Sequence, residues 1–193
     1  MNNKTANKLR KNPNDVIYTP EPLAKDMIKI CKIKKGETVL DPSKGAGVFY
    51  NNFPKNCKKD YCEITESKDF FEYNKKVDWV IGNPPYSLWD KWLDHTMEIT
   101  DKFCYIFSVF NLTPKRLNKM EEKGFGVTKF YFLRVAWWFG PSFVIVAERN
   151  KKSILNNFGK TYNCDICNSN CKRGCTYKGK KYGMNECSKK AEL

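Results

Sequence analysis

Val80-Ile81-Gly82-Asn83-Pro84-Pro85-Tyr86 is the stretch that decides the reading of this chain. The apolar start reads as a buried strand, and the two prolines end it, because neither can sit in a central strand or a helix interior. A rigid turn at the carboxyl end of a strand in an open α/β sheet lies in the ligand crevice. It presents there the Asn83 amide, the Pro84 carbonyl, stiffened by Pro85, and the Tyr86 ring. That set suits an exocyclic amine on an aromatic ring. Such a nitrogen is a poor nucleophile, and two oxygen acceptors stabilise the charge that builds as it attacks an electrophile. The Tyr86 ring can stack on that aromatic ring and hold the amine in line.

Outward from that corner, Thr38-Val39-Leu40 reads as the first strand, followed by Asp41-Pro42-Ser43-Lys44-Gly45-Ala46-Gly47 and a helix from Val48. Strand, Gly-x-Gly turn and helix make the nucleoside loop of doubly wound folds. The loop is neither Gly-x-Gly-x-x-Gly nor a P-loop. Tyr18-Thr19-Pro20 opens an earlier helix with Thr19 as N-cap. Tyr61-Cys62-Glu63-Ile64 reads as a second strand, with Glu63 placed to take ribose hydroxyls or to stand as an exposed strand-end charge. Asp69-Phe70 follows. A helix over 87–100 carries the single histidine, His95, which is read as structural. Lys44 is expected to point to water. Strands over 103–110, 130–135 and 143–147 and a basic helix over 113–123 complete the pattern, with Trp137 and Trp138 between the last two strands read as packing. The expected fold is α/β, with a mostly parallel sheet and an antiparallel strand near its C-terminal end.

The formal net charge is +14 on 193 residues, which points to a polyanion, nucleic acid first. No apolar run is long enough for a membrane span. The polar start predicts a cytoplasmic protein with reduced thiols, so nine cysteines suggest metal or free thiols, not disulfides. Three parts are expected: a basic arm over 1–17, a main domain over 18–150 and a basic cysteine-rich tail over 151–193. The tail holds ten Lys/Arg against three Asp/Glu. Four of Cys164, Cys167, Cys171, Cys175 and Cys187 could hold one structural zinc; a flexible basic tail with free thiols is the alternative.

Together, Tyr18-Thr19-Pro20, Asp41-Pro42-x-x-Gly45-x-Gly47-x-Phe49, Glu63, Asp69-Phe70 and Asn83-Pro84-Pro85-Tyr86 resemble the S-adenosylmethionine-dependent N6-adenine DNA methyltransferases, in the compact form of phages and viruses. The resemblance spans roughly residues 16–149. It implies a Rossmann-like class I methyltransferase sheet with S-adenosylmethionine as cofactor and DNA as partner. Tyr18 and Thr19 would seat the methionine end, and Asp41, Pro42, Gly45 and Gly47 would line it. Glu63 would hold the ribose, and Asp69 and Phe70 the cofactor's adenine. Asn83, Pro84, Pro85 and Tyr86 would hold the target base, with Asn83 also beside the cofactor. The target base would have to leave its stack. Only five residues separate Glu63 from Asp69, so the usual helix and strand between them must be trimmed. An RNA adenine methyltransferase, a protein-glutamine methyltransferase and a non-catalytic nucleic-acid-binding module are the rivals.

Overall fold

A computed structural model describes residues 17–156, apart from Trp137 and Phe139, together with residues 175–177 and 180–182. The chain divides into two compact units, Met1–Asn157 and Phe158–Leu193.

The first unit is a six-stranded sheet between helices. Its elements in chain order are α1 (Glu21–Cys31), β1 (Thr38–Asp41), α2 (Val48–Asn52), β2 (Lys58–Tyr61), β3 (Trp79–Gly82), α3 (Trp89–Ile99), β4 (Lys102–Ser108), α4 (Pro114–Glu122), β5 (Phe125–Leu133) and β6 (Ser142–Arg149). The strand order is β2-β1-β3-β4-β6-β5. The first four strands in that order are parallel, and β6 runs antiparallel to both its neighbours.

Strand periodicity sorts the core. Along β4, Phe103, Tyr105 and Phe107 enter one cluster while Cys104 and Ile106 enter the other. Successive side chains of a strand point to opposite faces, so every central strand feeds both layers. Helix α3 covers the first face with Trp89, Trp92, Leu93 and Met97, and Trp89 stacks on Phe107 at 3.9 Å. Helix α1 covers the second with Ala24, Met27, Ile28 and Cys31, spaced as one helical stripe. Trp138 is packed beside that second cluster.

Several local expectations shift. Thr19 does not cap α1: the N-cap is Pro20, without a side-chain bond, and the Thr19 hydroxyl is engaged elsewhere. The helix expected from residue 87 starts at Trp89, after a 3-10 turn (Tyr86–Leu88), with Leu88 as its N-cap. Thr113 is the N-cap of α4, accepting from the Arg116 N–H. β2 ends at Tyr61, so Glu63 lies beyond the strand. Between Glu63 and Asp69 there is one 3-10 turn (Ile64–Glu66), closed by a bridge between Glu63 and Lys68. The short connection leaves β2 as the edge of the sheet.

The first unit also runs past the composition change near Asn150: the Ile154 N–H donates to the Val127 carbonyl at 2.8 Å. In the second unit, β7 (Cys175–Tyr177) and β8 (Lys180–Tyr182) form an antiparallel pair. Cys164, Cys167, Cys171 and Cys187, and the Cys175 side chain, lie outside the described residues, as does the arm before Ile17.

Candidate active site

The sheet sets the place. β1 pairs with β2 on one side and β3 on the other, so the chain reverses direction of winding between β1 and β3. In open α/β sheets the crevice beyond the carboxyl ends at such a point is where ligands bind. Here those two ends are Asp41, which opens the glycine loop, and Gly82, which opens the double-proline corner. A cleft of about 800 Å³ lies there.

The two loops are tied directly. The Ser43 hydroxyl donates to the Asn83 backbone carbonyl at 3.1 Å. Gly82 lets them approach, since a Cβ there would lie 3.0 Å from Pro42 Cδ. Asp41 is wholly buried beneath the loop, where its two oxygens accept from the Ser43 N–H at 3.3 Å and the Tyr50 N–H at 3.2 Å. It therefore braces the loop against α2 and is not among the residues that line the cleft. Burial pushes its carboxyl up to about 7, against the two hydrogen bonds that favour ionisation. Gly47 also stays behind the lining. Its φ is +83°, and a Cβ would meet Asn51 Nδ2 at 2.9 Å.

Gly45, Pro42, Tyr18, Thr19, Glu63, Asp69, Phe70, Asn83 and Pro85 all contribute to the wall of the cleft. Glu63 is fixed there. Its carboxylate accepts from the Gly45 N–H at 2.7 Å, from the Thr65 N–H at 3.1 Å and from the Thr65 hydroxyl at 2.7 Å. Burial raises its pKa, but the Thr65 and Gly45 hydrogen bonds prevail and hold it below the usual value. Asp69 accepts from the Phe71 N–H at 2.9 Å and caps its own 3-10 turn. Phe70 is almost wholly buried and stacks on Trp92 at 4.4 Å. Beside it, the partly exposed Phe71 lines the cleft.

Asn83 is held by its amide nitrogen, which donates to the Ile17 carbonyl at 3.0 Å and to the Thr19 hydroxyl at 3.3 Å. Its Oδ1 is buried and has no hydrogen-bond partner. An orphaned acceptor is costly unless a ligand satisfies it. Pro84 and Tyr86 are not in the cleft wall. The Tyr86 ring lies nearly parallel to Trp89, with ring centres 6.4 Å apart.

Lys44 does not simply point to water: it is one of the residues that line the cleft. It pairs with Glu66 at 2.5 Å and lies 4.0 Å over the Tyr61 ring. His95 is structural, with Nε2 2.9 Å from the Tyr73 carbonyl and its ring against Phe70 at 4.8 Å. Ser43, Ile17, Phe71 and Trp92 went unread as site residues. Ser43 is forty positions from the carbonyl it binds, and no local pattern signals such a contact. Among the described residues, no group of His, Cys, Asp and Glu could hold a metal ion.

No family model and no curated protein matches the chain. Solved structures do. PH1948 of Pyrococcus horikoshii, a candidate RNA methyltransferase, aligns with a TM-score of 0.57 at 18% identity, over 76% of this chain and 97% of that one. Magnesium protoporphyrin IX methyltransferase of Synechocystis, crystallised with S-adenosylmethionine, aligns at 0.54 with 13% identity, over 67% and 77%. Trm5 of Methanocaldococcus jannaschii, in complex with adenosine, aligns at 0.54 with 19% identity, over 72% of this chain and 52% of that one. The chain has the Rossmann-like methyltransferase fold.

At these identities the likeness is one of fold. The same methyltransferase fold serves a porphyrin enzyme, so the substrate has to be argued from side chains. Within it, the cleft at the β1/β3 switch and the Glu63–Gly45 bond are features of this chain.

Proposed function

We propose that the protein transfers a methyl group from S-adenosylmethionine to the N6 amine of adenine in nucleic acid. The observation that carries this reading is the buried, partnerless Oδ1 of Asn83, a residue of the cleft wall that the glycine loop also lines. An acceptor held there suits an NH₂ group.

The residues fit the cofactor. The cleft is of a size for a nucleoside joined to an amino acid, within the usual range for such ligands. Glu63 retains lone pairs for ribose hydroxyls, Asp69 stands beside the partly exposed Phe71 for an adenine, and Tyr18 and Thr19 also line the wall. S-adenosylmethionine supplies, when bound, a methyl group on a positively charged sulfur, already a strong electrophile. What remains for the chain is orientation and charge stabilisation. Asn83 Oδ1 draws an amine hydrogen, which turns the nitrogen lone pair out of conjugation and towards the cleft. Tyr86, seated on Trp89, is placed to stiffen the corner. No side chain has to accept a proton before the attack, because the ring-conjugated amine reacts neutral and sheds its proton afterwards.

The polymer is the finer question. The order of motifs resembles DNA enzymes, whereas the solved structures whose descriptions name a nucleic acid name RNA or tRNA. RNA is therefore the second reading, and the comparisons support it better than they support DNA or a protein substrate. The test offers isotopically labelled cofactor with duplex DNA, single-stranded DNA, RNA and a protein extract. The label is expected on adenine of a nucleic acid. Asn83→Ala is expected to lower kcat by about 10²–10³-fold with cofactor affinity largely kept. Label on glutamine, or transfer undiminished in the variant, would reject the reading.

A further inference from the structure

We infer that the Ile17 carbonyl sets which atom of the Asn83 amide is offered to the substrate and that the Thr19 hydroxyl holds the amide in that setting, so that the site selects a 6-amino over a 6-oxo purine. This rests on the reading of the cleft as an adenine site.

A carboxamide is nearly symmetric in shape, with an acceptor on one arm and a donor on the other. Which arm faces a ligand is set by the neighbours of the other arm. Ile17 contributes a peptide carbonyl 3.0 Å from the amide nitrogen, and a carbonyl can only accept. Turning the amide over would put two carbonyl-type oxygens face to face at that distance. Thr19 Oγ1, 3.3 Å from the same nitrogen and almost wholly buried, adds a second acceptor. Both hydrogens of the NH₂ group are thereby engaged, and Oδ1 is the atom left without a partner. On the backbone side, the Ser43 hydroxyl holds the Asn83 carbonyl, so the residue cannot swing as a whole.

The consequence is chemical. A purine with an amine at position 6 brings hydrogens to Oδ1, whereas a 6-oxo purine brings an oxygen and meets repulsion. To accept the oxo base the amide would have to turn over, set its oxygen against the Ile17 carbonyl and force the Thr19 hydroxyl to change from acceptor to donor. A site built to bond one polar group rejects its counterpart much more strongly than a site that merely fits its shape. Thr19 is thus a positioning residue: it acts through Asn83, on a segment sixty-odd positions away in sequence.

The experiment compares wild type, Thr19→Val and Thr19→Ser. The first readout needs no catalysis: the Asn83 side-chain NH₂ resonances of nitrogen-15-labelled protein, with their rates of exchange with water. Valine is expected to shift one proton upfield and speed its exchange at least about tenfold, while serine restores both. The second readout is the ratio of dissociation constants for polyadenylate and polyinosinate, and for their deoxy counterparts, with S-adenosylhomocysteine present. Wild type is expected to prefer the adenine polymer, Thr19→Val to lose about five- to tenfold of that preference, and Thr19→Ser to keep it. Unchanged NH₂ signals in Thr19→Val, an unchanged ratio, or a serine variant that behaves like valine would overturn the inference. Wild type that fails to prefer the adenine polymer while the NH₂ signals respond as expected would instead count against the adenine reading, leaving the clamp on the amide intact.

Discussion

Asp41 shows how much a site of this kind spends on structure. It is an acid at the carboxyl end of a strand, beside a glycine loop, and its own carboxylate is consumed by two backbone N–H groups beneath that loop. Its pKa, about 7, lies above the ordinary 3.8 because burial disfavours the charge. Between those values the native state holds the proton and the unfolded state does not, so stability falls as pH rises from about 4 to about 7 and levels off above. The urea midpoint of wild type should therefore drop between pH 5 and pH 8 by more than that of Asp41→Asn, whose amide does not titrate. Equal drops in the two proteins would contradict this. At this scale the sequence was informative about which residues line the cleft and poor about what each touches. Asn83, Glu63 and Thr19 stand at the cleft, but Thr19 holds the Asn83 amide in place of capping a helix. Tyr86 faces Trp89, because a ring with an apolar neighbour three residues on buries more area against it.

Elements were legible where periodicity is long and apolar, as in α1, α3 and β4. They blurred where connections are short. β5 begins at Phe125, five residues before the expected start, because its first half is buried and lacks clean alternation. That first half is also where the C-terminal end of the first unit docks. A Cβ on Gly126 would lie 2.1 Å from the Lys151 carbonyl oxygen and 2.6 Å from the Ser153 nitrogen, both backbone. Gly126→Ala must therefore displace residues 151–153 and strain the Ile154–Val127 hydrogen bond. A loss of about 1–3 kcal/mol is expected, by the usual penalty of overpacking. Thermal unfolding should read it as a fall of roughly 3–10 °C. An unchanged Tm would show that the docked segment yields at no cost. No run of residues announces this packing in the sequence, since it joins a strand to a polar, lysine-rich stretch that reads as the start of a tail.

On the scale of the molecule, charge is the property that composition gave most directly, and it is unevenly shared. Residues 158–193 carry eight Lys/Arg against three Asp/Glu. The division after Asn157, rather than near Asn150, means that a cut there spares the segment paired with β5. Protein ending at Asn157 should keep methyl transfer while binding nucleic acid more weakly and with a flatter dependence on salt. The slope of log affinity against log salt should lessen by about 0.7–0.9 for each phosphate that the shortened protein no longer neutralises. An identical slope would take the tail out of nucleic-acid binding. Whether it binds zinc is a matter of cysteines outside the described residues. No described helix is long and apolar enough to cross a membrane.

For the proposed chemistry to occur, the methyl donor and the Asn83 amide oxygen must share the cleft between β1 and β3. A crystal structure with S-adenosylhomocysteine bound tests this most directly. The ribose should lie on Glu63, the sulfur should point towards Asn83 Oδ1, and the amide nitrogen should remain on Ile17 and Thr19. A ligand seated outside that cleft, or with its sulfur turned away from Asn83, would contradict it.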